Sequence, residues 1–291
     1  MITLVSVIIP AYNRSLFINQ TVDCVLNQTF RQFELIAVDD GSSDGTYEKL
    51  QAYGDKIKLL THIGHQNKGQ SASINVGLSI ATGDYIIVLD SDDFWDLNKL
   101  QVQVDYLKNN PDVGLVYTNG YGTNAEGEVS YNYHSDDHTE PNDANAVLLD
   151  CYLALPVNSM VRKSVYDQVG GFNESYRAAQ DHDMLIRMAE IAKFAYLPDF
   201  LFYYRRHSNS ISQQNLETRW RVGFHILDAA AKRYPYEKST LRKRRAVLNY
   251  RLGKVLVKKQ AYVSGAMCLL KSFFNDPSRA LKVLIGAEKV N

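Results

Sequence analysis

The chain has 291 residues, enough for one large α/β domain with a small appendage, and 45% hydrophobic with 22% charged residues excludes a disordered or fibrous chain. Its formal charge of +0 conceals a split: residues 1–200 hold 13 Lys/Arg and 27 Asp/Glu, residues 201–291 hold 19 and 5. An acidic body suits metal binding and a basic tail suits an anionic surface, while Cys24, Cys151 and Cys268 are too far apart for a disulfide framework.

Val5–Ile9 is apolar throughout and reads as a strand buried on both faces, with neither a basic leader nor a cleavage site before it. Asn13-Arg14-Ser15 opens a helical stretch in which Phe17, Val22, Val25 and Leu26 recur at helical spacing. Phe33–Val38 is a second buried strand and ends in the Gly-rich loop Asp39–Gly45. A helix from about Thr46, a short strand near Lys58–Leu60 and a helix over Ser71–Ile80 follow. Tyr85–Leu89 is another strand, stopping at Asp90-Ser91-Asp92-Asp93. This alternation predicts a mostly parallel sheet with helices on both faces. Ligands bind such sheets beyond the carboxyl ends of the strands, which gathers Tyr12, Asp39/Asp40 and Asp90/Asp92 into one crevice.

Val113–Tyr117 reads as a further strand, and Gly120–Pro141 as a long excursion of the kind that carries function. Within it, His134 and His138 would need a helix to share a metal, so the segment reads as a solvated acceptor-side loop. From Arg219 onward the pattern is helical and basic. No apolar run reaches the length of a membrane span, so a soluble or peripheral protein of the cytoplasm, at most at the inner face of the membrane, is expected.

Asp90 and Asp92 deliver two carboxylates to a strand end, and a hard divalent cation takes one or two carboxylates plus substrate phosphates. The same residues also suit a turn that caps a helix from Asp96, and the motif alone does not choose.

The ordered motifs go further. Val5–Asn13, Asn27-Gln28-Thr29-Phe30, Val38–Thr46, Asn67-Lys68-Gly69 with Ala72, Asn75 and Gly77, Asp90–Asp93, Gly170-Gly171-Phe172, Gln180–Asp183 and Tyr204–His207 together resemble the family 2 glycosyltransferases over about residues 3–212. The resemblance implies a GT-A type (Rossmann-like) sheet and an inverting transfer of sugar from a nucleotide-diphosphate donor, UDP-linked by preference, to a hydroxyl of a saccharide or lipid-linked acceptor. It places Pro10, Ala11, Tyr12 and Asn13 at the base pocket, with Asp39 and Asp40 beside them. Asp40 would accept the imide N–H of uracil or thymine. Lys68, Asn75, Asp90, Ser91 and Arg205 would complete the donor site, with Arg205 pairing phosphate. Asp92, Asp90 and His207 would hold Mg²⁺ or Mn²⁺, and Asp181 would be the catalytic base. Asp181 also suits a helix N-cap.

Two departures stand out. Ile74 replaces a cation common in the family, leaving Lys68 to compensate, and Gln180 replaces a Glu beside the base. A nucleotidyltransferase is a rival reading but would show a Gly- and Arg-rich phosphate loop after the first strand. A non-catalytic nucleotide-sugar-binding protein is a second.

The expected domains are 1–211, divided into a donor half (1–110) and an acceptor half (111–211), and a basic helical extension, 212–291. In the extension Leu248, Leu252, Val255 and Leu256 form an apolar face, and Arg244, Arg245, Arg251, Lys254, Lys258 and Lys259 supply cations for an anionic membrane. An oligomer contact through these helices is an equal expectation. Arg242-Lys243-Arg244-Arg245 resembles a nucleic-acid patch but reads here as a solvated face or lipid contact, so no nucleic-acid partner is expected.

Overall fold

The computed structural model describes residues 4–153, 157–207 and 215–284. The chain divides into two compact units, one of Met1–Asn142, Leu153–Ser175 and Gln180–Ser208, the other of Asp143–Tyr152, Tyr176–Ala179 and Asn209–Asn291. The boundary expected at 211/212 lies outside the described residues.

The first unit holds the sheet: β1 (Val5–Ala11), β2 (Phe33–Asp39), β3 (Lys58–Thr61), β4 (Tyr85–Val88), β5 (Phe94–Trp95), β6 (Val113–Thr123), β7 (Val129–Asn132), β8 (Ser159–Arg162) and β9 (Lys193–Arg205). The order is β3-β2-β1-β4-β8-β6-β9-β5, with β7 paired to β6. β3, β2, β1 and β4 run parallel, β8 is antiparallel to both β4 and β6, and β6 and β9 are parallel. Every residue of β1 is buried, as a central strand with both faces covered requires.

In chain order the helices are α1 (Ile18–Leu26), α2 (Thr46–Gln51), α3 (Gln70–Ile80), α4 (Lys99–Asn109), α5 (Ala144–Leu149), α6 (Lys163–Val169), α7 (Gln180–Ala189), α8 (Leu216–Arg233), α9 (Lys238–Lys258), α10 (Tyr262–Asn275) and α11 (Pro277–Leu284). α5 and α8–α11 belong to the second unit. α1 starts at Ile18, later than the sequence suggests. Asn13 sits at φ 52°, Arg14 N–H donates to Thr46 Oγ1 and Ser15 N–H to Asp44 Oδ2, so these residues tie down the loop after β2.

The long excursion after residue 120 is a correction. Gly120–Thr123 continue β6, and β7 pairs back antiparallel across Tyr121↔Asn132. At the bulge in β6, Asn119 replaces lost ladder bonds: its Oδ1 accepts from His134 N–H and its Nδ2 donates to His134 O.

His134 and His138 are not solvated loop residues either. Their rings stack at 4.1 Å, His134 is buried, and Tyr117 and Tyr196 pack around the pair. Aromatic packing, not a helix, brings them together. Burial, then the charge of His138, pushes His134 down to about 4.

In the second unit Leu248, Leu252 and Leu256 of α9 are buried, Val255 half so. Arg244 is buried too and donates to Leu149 O, burial pulling it down to about 10. Arg245 pairs with Asp228 and Lys259 with Glu217. Arg251 lies over the Trp220 ring and Lys254 over that of Tyr250, so five of the six cations expected to face a membrane have a partner within the unit.

A neutral His134 gives the fold a pH signature. Between about pH 4 and the unfolded value near 6.5 the unfolded chain binds more protons, so this contribution is full above 6.5 and lost as pH falls to 4. His134→Phe keeps the ring stack and should remove up to about 3 kcal/mol of that acid-side loss, read as a flatter stability–pH profile in urea melts.

Candidate active site

Three parallel strands end at one edge of the sheet. Ala11 of β1 pairs with Asp39 of β2, and Ile8 pairs with Val88 at the end of β4. β6 and β9 run the same way, so β9 delivers Arg205 and His207 to that edge as well.

At the β1/β2 corner, Asn13 N–H donates to Ser42 Oγ and Asn13 Oδ1 accepts from Ser43 N–H. Pro10 and Ala11 are buried and Tyr12 is 43% exposed, a ring presented at the crevice mouth. Asp39 Oδ2 accepts from Gly41 and Ser42 N–H, while its Oδ1 is buried with no partner among the described residues. Asp40 is spent differently: Oδ1 accepts from Lys68 N–H at 2.6 Å and Oδ2 from Gly69 N–H at 2.9 Å. Lys68 meets Asp40 through its backbone, and its side chain is exposed.

Beyond β4, Ser91 is buried in the turn and the acids around it divide by environment. Asp92 accepts from Arg14 Nε at 3.1 Å and lies 2.9 Å from His207 Nε2. Burial works to raise it, but the His207 bond and the Arg14 charge prevail and hold it below the usual carboxylate range. Asp90 is raised to about 7, by burial first, then by Asp92 and Asp181, with Arg14 and Gln70 opposing. Asp93 is fully buried and raised well above its ordinary value, by burial and then Asp92 and Asp90.

Two residues assigned to the donor site from sequence spend their polar atoms within the protein. Arg205 is buried. Its N–H donates to Asp93 Oδ1, Nε to Asp92 O, Nη1 to Ala125 O and Nη2 to Gln20 Oε1, between the rings of Phe17 and Phe94. Asn75 turns to the protein: Nδ2 donates to Phe172 O and Glu174 Oε1, and Oδ1 accepts from Phe172 N–H. A Cβ at residue 171 would lie 2.6 Å from Asn75 Oδ1, so the latch needs Gly171.

Asp181 lies in the first turn of α7, which begins one residue earlier, so it is not the N-cap; its Oδ1 accepts from His182 N–H. Asp183 is buried and bound by Arg187, whose other nitrogens donate to Val169 O and Gly171 O. That clasp fixes α7 against the segment after α6.

Sequence reasoning missed Arg14 and Gln70. Arg14 places a cation beside Asp92, while Ile74 is buried in α3. The signal of Arg14 was its place, directly after the β1 turn. Gln70 Nε2 donates to Asp90 Oδ1 and its Oε1 accepts from Gln180 Nε2, bridging the acid turn to α7. No pattern distance predicts a bond across 110 residues.

A family model for "Glycosyl transferase family 2" matches residues 6–170. The chain belongs to that family. This glycosyltransferase is 27% identical to the chondroitin synthase of Escherichia coli over 238 residues, 81% of its own length but only 34% of the synthase. It is 42% identical over 118 residues to the E. coli UDP-Glc:alpha-D-GlcNAc-diphosphoundecaprenol beta-1,3-glucosyltransferase WfgD, covering 40% of this chain and 45% of that one. Among solved structures, S. aureus TarS 1–349 in complex with UDP-GlcNAc superposes with TM-score 0.73 at 17% identity, over 97% of this chain and 92% of TarS, and shows the shared GT-A fold.

A divalent ion fits the donor set. Asp90 and Asp92 end the same strand, and burial first, then the charges of Asp92 and Asp181, raise Asp90 to about 7, a setting in which an added cation would favour the carboxylate. Among the described residues no three such side chains form a ready metal cage. A two-carboxylate site completed by a diphosphate does not require one.

Arg205→Met tests the structural assignment of that residue. It should destabilise by about 3–5 kcal/mol, as expected when a buried ionic partner is removed. The Kd for nucleotide, measured on the folded fraction, should stay within about twofold. A large loss of nucleotide affinity with stability intact would return Arg205 to the phosphate.

Proposed function

We propose that the chain is an inverting glycosyltransferase that takes a sugar from a UDP-linked donor and delivers it to a hydroxyl of a saccharide or lipid-linked acceptor. The observation that carries this reading is the gathering of acids at the strand ends, where Asp90, beside Asp92, lies within electrostatic reach of Asp181 on a separate helix. The names of WfgD and of the TarS complex point the same way for the donor, and that of WfgD for a lipid-linked acceptor.

Tyr12 offers a ring face to the base. Asp39, whose Oδ1 has no partner among the described residues, would accept an imide N–H once the buried oxygen is uncovered, whereas the two oxygens of Asp40 already serve backbone amides. Asp92 and Asp90, with His207 beside Asp92, would hold the divalent ion together with the donor's phosphates, and the ion would offset charge on the departing diphosphate. Arg14 adds a fixed positive charge beside Asp92.

Asp181 removes the acceptor proton. The hydroxyl oxygen bonds to the anomeric carbon as the bond from that carbon to the phosphate oxygen breaks. The proton stays on the Asp181 carboxyl, and the nucleoside diphosphate leaves with the bonding electron pair. Attack opposite the leaving group inverts the anomeric centre. Gln70 and Gln180 position the acids: their bridge sets the orientation of Asp90 and the first turn of α7 together.

Asp181→Asn keeps shape and removes basicity, so turnover should fall by about 10²–10⁴-fold with donor affinity and melting temperature unchanged. Asp183→Asn should instead lose stability through Arg187, with any loss of turnover following it. Normal turnover by Asp181→Asn would place the base elsewhere. In the base pocket, UDP should bind better than CDP, and Asp39→Asn should narrow that difference more than Asp40→Asn, as read by calorimetric titration. Equal affinity of the parent chain for the two nucleotides would remove both acids from base selection.

A further inference from the structure

The helix hairpin of the second unit is built inside out. α10 turns its small residues toward α9: a Cβ on Gly265 would lie 2.6 Å from Val257 Cγ2, Gly265 meets Gly253 O, and buried Ser272 donates to Ala246 O. Leu269 packs on Gly253 of α9, but four other large apolar residues face outward. Val263, Met267, Leu270 and Phe274 fall at i, i+4, i+7 and i+11, one narrow stripe of the helix, and are 77%, 53%, 59% and 74% exposed. Water gives such a stripe nothing, whereas small residues between helices and large ones outside are how helices pack when the surrounding medium is apolar.

Charge decides between the candidate occupants. From Lys238 to Lys282 the sequence has twelve Lys/Arg and a single acid, Asp276. Lys271 on α10 and Lys282 on α11 are exposed, as are Lys254 and Lys258 of α9. A second copy of this face would bring the same excess of cations and almost no counter-charge. An anionic bilayer offers both an apolar interior and negative headgroups.

Length fixes how the helix would sit. Its 14 residues span about 21 Å, short of the roughly 30 Å hydrocarbon core, and among the described residues no helix is long and apolar enough to cross a membrane. We infer that α10 lies in the plane of an anionic membrane surface, with Val263, Met267, Leu270 and Phe274 in the acyl boundary and the surrounding lysines at the headgroups. The contact is therefore on α10, not on the α9 face that the sequence suggests, whose leucines are buried and whose Arg244 is internal.

The test is co-sedimentation of the full chain with vesicles of phosphatidylcholine alone or mixed with phosphatidylglycerol. The mixed vesicles should bind it and the neutral ones should not, and salt should weaken the binding. Phe274→Ser should weaken it by about tenfold or more, with circular dichroism and nucleotide affinity unchanged. Lys271→Glu, a surface change on the same helix, should weaken it as well. Failure to bind mixed vesicles, binding indifferent to lipid charge, or undiminished binding by Phe274→Ser overturns the inference. So does a dimer in sedimentation velocity that Phe274→Ser dissociates, since the stripe would then belong to a second copy.

Discussion

Three carboxylates within four residues, Asp90, Asp92 and Asp93, sit where the sheet shields them from water, and like charges so close cannot all stay ionised unaided. The protein answers with positive or donating groups drawn from distant segments. Arg14 comes from the turn after β1, His207 from beyond β9, and Arg205 from the end of β9. Each arrives because parallel strands place their carboxyl ends side by side. Topology thus decides which charges meet, and their meeting decides which acid remains ionised. Asp92 does, while Asp90 and Asp93 are pushed toward the protonated state.

The same arrangement separates holding residues from those facing ligand. Asn75, Asp183, Arg187 and Arg205 spend their polar atoms on backbone and neighbouring side chains, and so fix the loops. Tyr12, Asp90, Asp92 and Asp181 keep some exposure at the strand-end edge, and the proposed reaction draws its ligand contacts from them. All of these but Arg187 lie in the motifs that carry the family resemblance, which explains why motif membership alone does not tell the two groups apart.

Much of the sheet was legible because buried strands in such a fold are continuous apolar runs, and Val5–Ile9, Phe33–Val38 and Tyr85–Leu89 all appear within a residue or two of where their pattern puts them. The crevice was legible for the same reason, since strand ends can be read from where the runs stop. What failed depended on side-chain bonding over long separations. Arg205 looked like a phosphate ligand because its type and place fit. Only the structure reveals that Gln20 and Ala125 occupy its nitrogens. The hairpin of β6 and β7 was hidden because Asn119, a bulge residue, interrupts the two-residue alternation that marks a strand. His134 and His138 read as solvated because their partner Tyr196 comes from a strand far along the chain.

Gln70 occupies the first position of α3, and its amide has one hydrogen-bonding end for each segment: nitrogen to Asp90, oxygen to Gln180 beside Asp181. A carboxylate here would repel Asp90, and an aliphatic side chain would release both neighbours at once. Under the proposed reaction, changes that retune the chain for a new donor are therefore felt at the acceptor wherever they disturb this amide. Laboratory selection for altered sugar preference would meet its strongest epistasis at Gln70 and Gln180, where the two halves of the chemistry share a single hydrogen-bonded joint.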